Sequence, residues 1–443
     1  MAIVPGDKSI AHRWLIFAAT AAGPSRLVGL PPSLDVRSMA AALAALTASA
    51  RPALEAWARN GGARAEGHGS TWNVDRDGVA RVALEVEGEG RSALVEAEAP
   101  LDCGNSGTAM RLLAGVAAAA PFRTVLVGDA SLTGRPMERV AAPLRAMGAR
   151  VSTTDGHAPM TVEGGRLRGI RYELPNPSAQ VKGAILLAGL AATDRTTVVE
   201  PVASRDHTER AIAALGGRVD RLGTEIAIEP FQHAGFEARV PGDPSSAAFL
   251  IGASVVTGAA LTVRDVGLNP TRLGFLRVLR RMGVSIVERI TGEELGEPVG
   301  EVIVQAGARP TGTRIDRGEL PSVIDEVPVL AAVAATAGGE TRFEGAGELR
   351  VKESDRLAGV ADGLSALGGR ADVAGDDLVV TGGGLAGGVA GSLGDHRLAM
   401  AFVVAALAAQ GSSTIEGAQA AEISYPGFAA RLADLGGAVE ALP

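Results

Sequence analysis

The sequence predicts an α/β protein made of two domains of similar fold, and three observations carry that prediction. A short tag, in which a helical pattern ends at glycine and a strand-like pattern begins, occurs six times in two series of three. Strand-like stretches alternate with helical ones along the chain. The tetrapeptide Val-Pro-Gly-Asp is written twice, at 4–7 and 240–243, each time at the foot of an apolar helix-like run. The length of 443 residues also exceeds what one ordinary core supports.

The tags read ARNGGARA (58–65), RAMGARVS (145–152), AALGGRVD (213–220), RRMGVSIV (280–287), SALGGRAD (365–372) and ADLGGAVE (433–440). Gly61 to Gly283 is 222 residues, while Gly148 to Gly368 and Gly216 to Gly436 are each 220. Equal offsets across three pairs give three plus three units, with glycine supplying the left-handed residue that turns helix into strand. RVALEVEG (81–88), RTVLVGD (123–129), EIAIEP (225–230), EVIVQA (301–306) and DLVVTG (377–382) are the clearest strands. Each VPGD precedes the first helix of a half. The chain is therefore expected to cross between domains near 4–8 and 239–243, giving a domain of 8–240 and a second of 1–7 with 241–443. A cleft between such halves is the expected place for a ligand.

Composition narrows the function. A net charge of −8 and a pI near 5.5 argue against nucleic acid or an anionic membrane as partner. The longest apolar runs, such as AMAFVVAALAA (399–409), fall well short of about 20 residues and read as buried helices rather than membrane spans. No signal peptide is expected from MAIVPGDKSI. Cys103 is alone, so a reducing, cytoplasmic setting is expected, and its place at an apolar strand end favours packing over nucleophilic attack. His12, His68, His157, His207, His233 and His396 include no close pair with metal-ligand spacing, so no metal is expected. GGGLAG (382–387) reads as a hairpin loop, and no G-x-x-x-x-G-K-[ST] loop is present.

Four segments repeat one design, in which small polar residues and a basic residue open an Ala-rich helix: GDKSIAHR (6–13), GNSGTAMRLL (104–113), NPSAQVKGA (176–184) and GDHRLAM (394–400). Free amides at a helix N-terminus favour an anion, and small side chains let it approach. Of 42 basic residues only Lys8, Lys182 and Lys352 are lysines, and all three lie in such motif segments or in GELRVKESDRL (347–357). There Lys352 and Arg356 are four apart and would share a helix face, with Glu353 and Asp355 between them. Asp325 and Glu326 stand just ahead of an apolar helix, as caps or as a catalytic carboxylate, and Arg135 sits on a loop between Gly134 and Pro136.

These motifs together (PGDKS-x-x-HR, LDCGNSGTAMRLL, GDASL-x-x-RPM, SAQVK, SRDHTER, IDE-x-P-x-L, ELRVKESDRL and GDHR-x-AM) resemble the 5-enolpyruvylshikimate-3-phosphate synthase family, in the form of its second bacterial class. The resemblance runs in consistent order from residue 4 to about 430. It implies two domains, each of three βαβαββ units around buried parallel helices, in the enolpyruvyl transferase fold, an inside-out α/β barrel. The implied reaction is shikimate 3-phosphate plus phosphoenolpyruvate giving enolpyruvylshikimate phosphate and phosphate, by a monomer without cofactor. By position, the resemblance assigns Lys8, Ser9, Arg13, Ser178, Ala179, Gln180 and Arg205, with Asp325 and Lys352, to shikimate 3-phosphate. It assigns Lys8, Gly107, Arg135, Gln180, Arg356 and Arg397 to phosphoenolpyruvate. Asp325, Lys352, Glu353 and Lys8 are the implied catalytic residues. Cations suit two anionic substrates, forked arginine matching carboxylate and lysine a shared contact.

Two departures stand out: Ala11 replaces a common serine, and Ile423 stands where one class has a lysine. Gly107, where alanine marks glyphosate-tolerant members, implies sensitivity to glyphosate. The competing readings are enolpyruvyl transfer to a UDP-amino sugar, whose loop cysteine and lysine motif are missing, and a non-catalytic phosphate-binding module, which has no use for Asp325, Lys352 and Glu353.

Overall fold

A computed structural model describes residues 1–61, 70–74, 80–307 and 309–440. The chain divides into two compact units. One comprises Gly6–Val240 with Glu293–Glu297, the other Met1–Pro5, Pro241–Gly292 and the chain from Pro298 onward.

The first unit holds three open four-stranded sheets of one plan: an edge strand pairs in parallel with its neighbour, and two antiparallel strands complete the sheet. In the simplest case, Leu101–Asp102 lies parallel to Arg123–Val127, which is antiparallel to His157–Glu163, which is antiparallel to Arg150–Thr154. A helix, Gly107–Ala118, connects the parallel pair, and Glu138–Met147 leads into the antiparallel hairpin. The second sheet runs Arg171–Glu173, Thr196–Val199, Glu225–Ile228, Val219–Leu222 on the same pattern. The third takes its edge strand from far along the chain, Glu237–Arg239 pairing in parallel with Ala22–Val28, followed by Ala80–Glu89 and Ser70–Val74. Burial alternates with period two, as along HAPMTVE (157–163), because each sheet faces helices on one side only.

The helices Lys8–Thr20, Gly107–Ala118 and Ala179–Gly189 are buried almost all round, as their Ala-rich sequences predict. Gly107–Ala118 packs on both of the others. Its approach to Ala179–Gly189 depends on Gly115, where a methyl group would sit 2.3 Å from the carbonyl oxygen of Ala184.

The second unit repeats the plan. Ala2–Ile3 pairs in parallel with Leu261–Gly267, followed by Glu297–Val304 and Ile286–Glu294. Arg314–Ile315, Glu340–Phe343, Asp377–Thr381 and Arg370–Ala374 form the next sheet, and Val389–Gly391 pairs with Thr414–Glu416. Helices Pro244–Thr257, Val327–Thr336 and His396–Ala406 pack mutually and are again buried nearly all round.

All five strand-like stretches are strands, and all six tag glycines have positive φ, between 58° and 113°. The strand half of the first tag, 62–65, and His68 lie outside the described residues. All six sheets are open, so no closed barrel of strands forms among the described residues. GGGLAG is not a hairpin loop: the strands on either side of it, Asp377–Thr381 and Val389–Gly391, belong to different sheets. Among the described residues no helix is long and apolar enough to cross a membrane.

Candidate active site

In the first unit the motif segments converge as helix starts. Asp7 caps Lys8–Thr20, its carboxylate accepting from the amides of Ser9 at 2.7 Å and Ile10 at 3.2 Å. That cap places Lys8 on the first turn, where its ammonium meets Asp35 Oδ2 at 2.8 Å. One turn on, Arg13 is 2 % exposed. Its guanidinium donates to Thr208 Oγ1 at 2.7 Å, to the Ser9 carbonyl at 2.7 Å and to the Ala179 carbonyl at 3.5 Å. Burial pushes Arg13 down to about 10, against the opposing field of Glu209 and with Arg205 adding to the fall. Arg13 thus binds the Ser9 and Ala179 segments to one another, with Arg205 close enough for its charge to be felt.

Ser178 caps Ala179–Gly189 by accepting from the amide of Val181 at 3.3 Å. Gln180 follows the cap, its Nε2 donating to Thr108 Oγ1 at 2.8 Å and its Oε1 accepting from Arg111 Nη1. Ser106 caps Gly107–Ala118, accepting from the amide of Ala109 at 3.1 Å. Gly107 then lies under two guanidiniums: a methyl group there would be 3.1 Å from Arg111 Nη1 and 3.2 Å from Arg135 Nη1. Arg135 is aimed by Asn105, whose Oδ1 accepts from Nη2 at 2.7 Å. Gly107, Arg135 and Gln180 are therefore brought together, with Arg111 as the joint. Sequence reading did not single out Arg111. The available signal was a basic residue one turn into GNSGTAMRLL.

In the second unit Asp325 lies just before Val327–Thr336. Its carboxylate is 3.8 Å from Arg356 Nη1 and 3.7 Å from Arg397 Nη2, and its carbonyl accepts from Arg397 Nη1 at 2.8 Å. Asp395 caps His396–Ala406 through the amide of Arg397 at 2.8 Å and also accepts from Arg356 Nε at 2.7 Å. Glu353 pairs with Arg356 Nη2 at 2.5 Å. Burial opposes the charge on Arg356, but Glu353, Asp395 and Asp325 together outweigh it and raise its pKa. Lys352 and Arg356 do not share a helix face. The helix begins only at Arg356, and Lys352 precedes it at the end of the 3₁₀ turn Ala346–Val351, because Asp355 caps the helix through the amide of Ala358. Burial pushes the Lys352 ammonium below the ordinary lysine value, with Asp325 pulling the other way. Ile423, half-buried, packs against the core of this unit.

The first unit's cations, at three helix starts, suit phosphate and carboxylate groups. The second unit sets a carboxylate between two arginines, in the field of a lysine whose ammonium burial pushes below the ordinary value. Cys103 is buried and its thiol is pushed up to about 12, so it is no ready nucleophile. Among the described residues no group of three or more His, Cys, Asp or Glu could hold a metal ion.

A family model described as EPSP synthase (3-phosphoshikimate 1-carboxyvinyltransferase) matches residues 2–67 and 71–432. The 3-phosphoshikimate 1-carboxyvinyltransferase of Acidithiobacillus ferrooxidans is 44% identical over 429 residues, covering 96% of this chain and 93% of that protein. The protein of that name from Xanthomonas campestris pv. campestris is 45% identical over 436 residues, covering 96% and 92%. A solved EPSP synthase from Acinetobacter baumannii superposes with a TM-score of 0.80 at 37% identity, covering 98% of this chain and 94% of that one.

Proposed function

The chain belongs to the EPSP synthase family, and from that premise we propose how its residues divide the work of 3-phosphoshikimate 1-carboxyvinyl transfer. The reaction joins the 5-hydroxyl oxygen of shikimate 3-phosphate to C2 of phosphoenolpyruvate and breaks the bond from C2 to the phosphate oxygen. The hydroxyl proton is lost from carbon-bound oxygen, and phosphate leaves. The enol carbon gains a proton on the way in and loses one on the way out, so a group that both gives and takes a proton must face it.

Lys8, Ser9, Arg13, Ser178, Ala179, Gln180 and Arg205, with Asp325 and Lys352, take shikimate 3-phosphate. Lys8, Gly107, Arg135, Gln180, Arg356 and Arg397 take phosphoenolpyruvate. Asp325 is the base on the attacking hydroxyl, with Lys352 and Glu353 completing the proton-handling group. The observation that carries this reading is Asp325 held 3.7–3.8 Å from the two arginines assigned to phosphoenolpyruvate, beside a lysine of lowered pKa. A simple phosphate-binding module needs no such carboxylate.

The division of the chain at Pro5/Gly6 and Val240/Pro241 supports two enolpyruvyl transferase-like domains, 8–240 and 1–7 with 241–443. The all-round burial of three helices in each supports an inside-out α/β barrel, sheets outward. A monomer is part of the same reading, and the buried Cys103, in no disulfide, supports the cytoplasm.

Phosphate release tests the assignment. Shikimate 3-phosphate with phosphoenolpyruvate should release phosphate, and Asp325→Asn should abolish it while weakening shikimate 3-phosphate binding far less. Release with a UDP-amino sugar instead, or binding without release, would overturn the reading.

A further inference from the structure

We propose that Lys182 is a positioning residue for shikimate 3-phosphate, a single buried ammonium from which three segments of that site are held. The inference rests on the assignment of Arg13, Ser178–Gln180 and Arg205 to this substrate. Lys182 Nζ lies 2.7 Å from Glu200 Oε2 and 2.8 Å from Glu209 Oε1, and the three side chains are 0%, 0% and 5% exposed. Each partner leads to a different part of the site. Glu200 accepts from the amide of Ser204 at 3.3 Å and from its hydroxyl, which fixes the residue just before Arg205. Glu209 lies one residue after Thr208, the acceptor of Arg13 Nε, and its charge is the largest influence sustaining the Arg13 cation against burial. Lys182 itself stands one turn beyond Ser178, in the helix that carries Gln180.

A buried ion pair is weak support for stability as such, since well-packed apolar residues often serve as well or better. What apolar side chains cannot do is fix the Arg205 loop, the Arg13 helix and the Gln180 helix start to a common point through directional contacts. The chain uses arginine for 39 of its 42 basic residues, yet this position carries the compact ammonium that fits between two enclosed carboxylates.

The test compares Lys182→Met, Glu200→Gln and Ser204→Ala with the unaltered enzyme, and adds Arg205→Ala as a reference. The Michaelis constants of both substrates are measured, together with the affinity for shikimate 3-phosphate and for shikimate, which has no phosphate. Lys182→Met should weaken shikimate 3-phosphate by about tenfold or more. Glu200→Gln and Ser204→Ala should weaken it several-fold, with shikimate affinity and the phosphoenolpyruvate constant unchanged. Combining Ser204→Ala with Arg205→Ala should add little to Arg205→Ala alone. In Glu200→Gln and Ser204→Ala, equal losses for shikimate and its phosphate, or for both substrates, would mark the cluster as merely structural and overturn the inference. So would unchanged constants in Glu200→Gln and Ser204→Ala, the two variants that decide if Lys182→Met does not fold. If Arg205→Ala itself binds normally, the site assignment falls and the inference with it. If only Arg205→Ala is impaired, the inference alone falls.

Discussion

The helices that begin at Lys8 and at Pro244 start from the same four residues and serve different ends. Both are capped by the aspartate of VPGD, Asp7 accepting from the amide of Ser9 and Asp243 from that of Ser245. After the cap they part: Lys8 is matched by Pro244, His12 by Ala248 and Arg13 by Phe249. At the second helix the chain supplies its own cation. Arg272 Nη2 donates to Asp243 Oδ1 and to Ser245 Oγ, each at 2.9 Å, and Ser245 donates to Glu326. Asp243, Ser245 and Arg272 are all buried, and Phe249 packs edge-on against Phe428. At the first helix the start is left partly open, with Lys8 and Ser9 half-buried. The same capped start is one device with two uses. Filled by an internal guanidinium it is a joint, and half-buried with Lys8 it is the place proposed above for a substrate anion.

The sharpest way to break that contrast is to neutralise the cation at each start. Lys8→Met should cost about 10²–10³-fold in kcat/KM, as loss of one preorganised charge does. Its pairing with Asp35 is part-buried, so the stability loss should be about 1–2 kcal/mol, less than for a fully enclosed pair. Arg272→Met should do the reverse, losing about 3–5 kcal/mol by removing the guanidinium from the buried Asp243 carboxylate, while the folded fraction keeps its turnover. Denaturant midpoints and steady-state rates on both variants check this, and a catalytic loss in Arg272→Met would end the distinction.

Lys352 extends the contrast to the second unit's own chemistry. Lys352→Arg keeps the charge but enlarges the head, and kcat/KM should fall about 10²-fold, as for a misplaced reacting group. Activity close to normal would mean that any cation suffices there.

A smaller effect follows from His12, whose counterpart is Ala248. Burial pushes its imidazole from the ordinary 6.5 down to about 3, with Asp35 opposing and Lys8 and Arg13 assisting. Between those values the unfolded chain binds a proton that the folded chain refuses. Stability therefore falls as pH drops below about 6.5, by up to about 1.4 kcal/mol per unit. His12→Asn should flatten the loss between pH 6.5 and 4.5, read from urea midpoints. An unchanged slope would remove His12 as its source.

The smallest effects come from single methyl groups. Gly107→Ala presses on the ends of Arg111 and Arg135, flexible tips that can yield a few tenths of an ångström. It should raise the inhibitory concentration of glyphosate by a larger factor than the Michaelis constant of phosphoenolpyruvate. Gly252→Ala, by contrast, would meet Val329 Cγ2 at 2.6 Å within the second unit's core, and should cost about 1–3 kcal/mol of stability with inhibition unchanged. Equal rises of both constants in Gly107→Ala would separate Gly107 from the inhibitor.

Much of this was legible in the sequence because it is written locally. A glycine that ends a helix, an alternating strand and an Asp or Ser cap each depend on a few neighbouring residues, and the strands, helix starts and glycine turns follow them. The motif cations were legible as a group through the rarity of lysine. Partners distant in the chain were not. Arg111 meets Gln180 across 69 residues, Arg272 meets Asp243 across 29, and nothing near Lys182 announces Glu209 as its second carboxylate. Four-residue spacing suits one helical turn and would put Lys352 on the helix of Arg356. The Asp355 cap starts that helix too late to include it.

The edge strands taken from the far ends of each half bear on how the protein is made. Ala2–Ile3 finds its partner in Leu261–Gly267, and Ala22–Val28 waits for Glu237–Arg239. Residues 293–297 belong to the unit whose body ends at Val240. A chain emerging from the ribosome thus holds residues 2–3 unpaired while more than two hundred others are added. The earlier unit acquires its last five residues only when 297 has cleared the exit. Synthesis and folding are out of step by design, and a gene cut at position 240 yields one piece without its closing segment and another without its first edge strand.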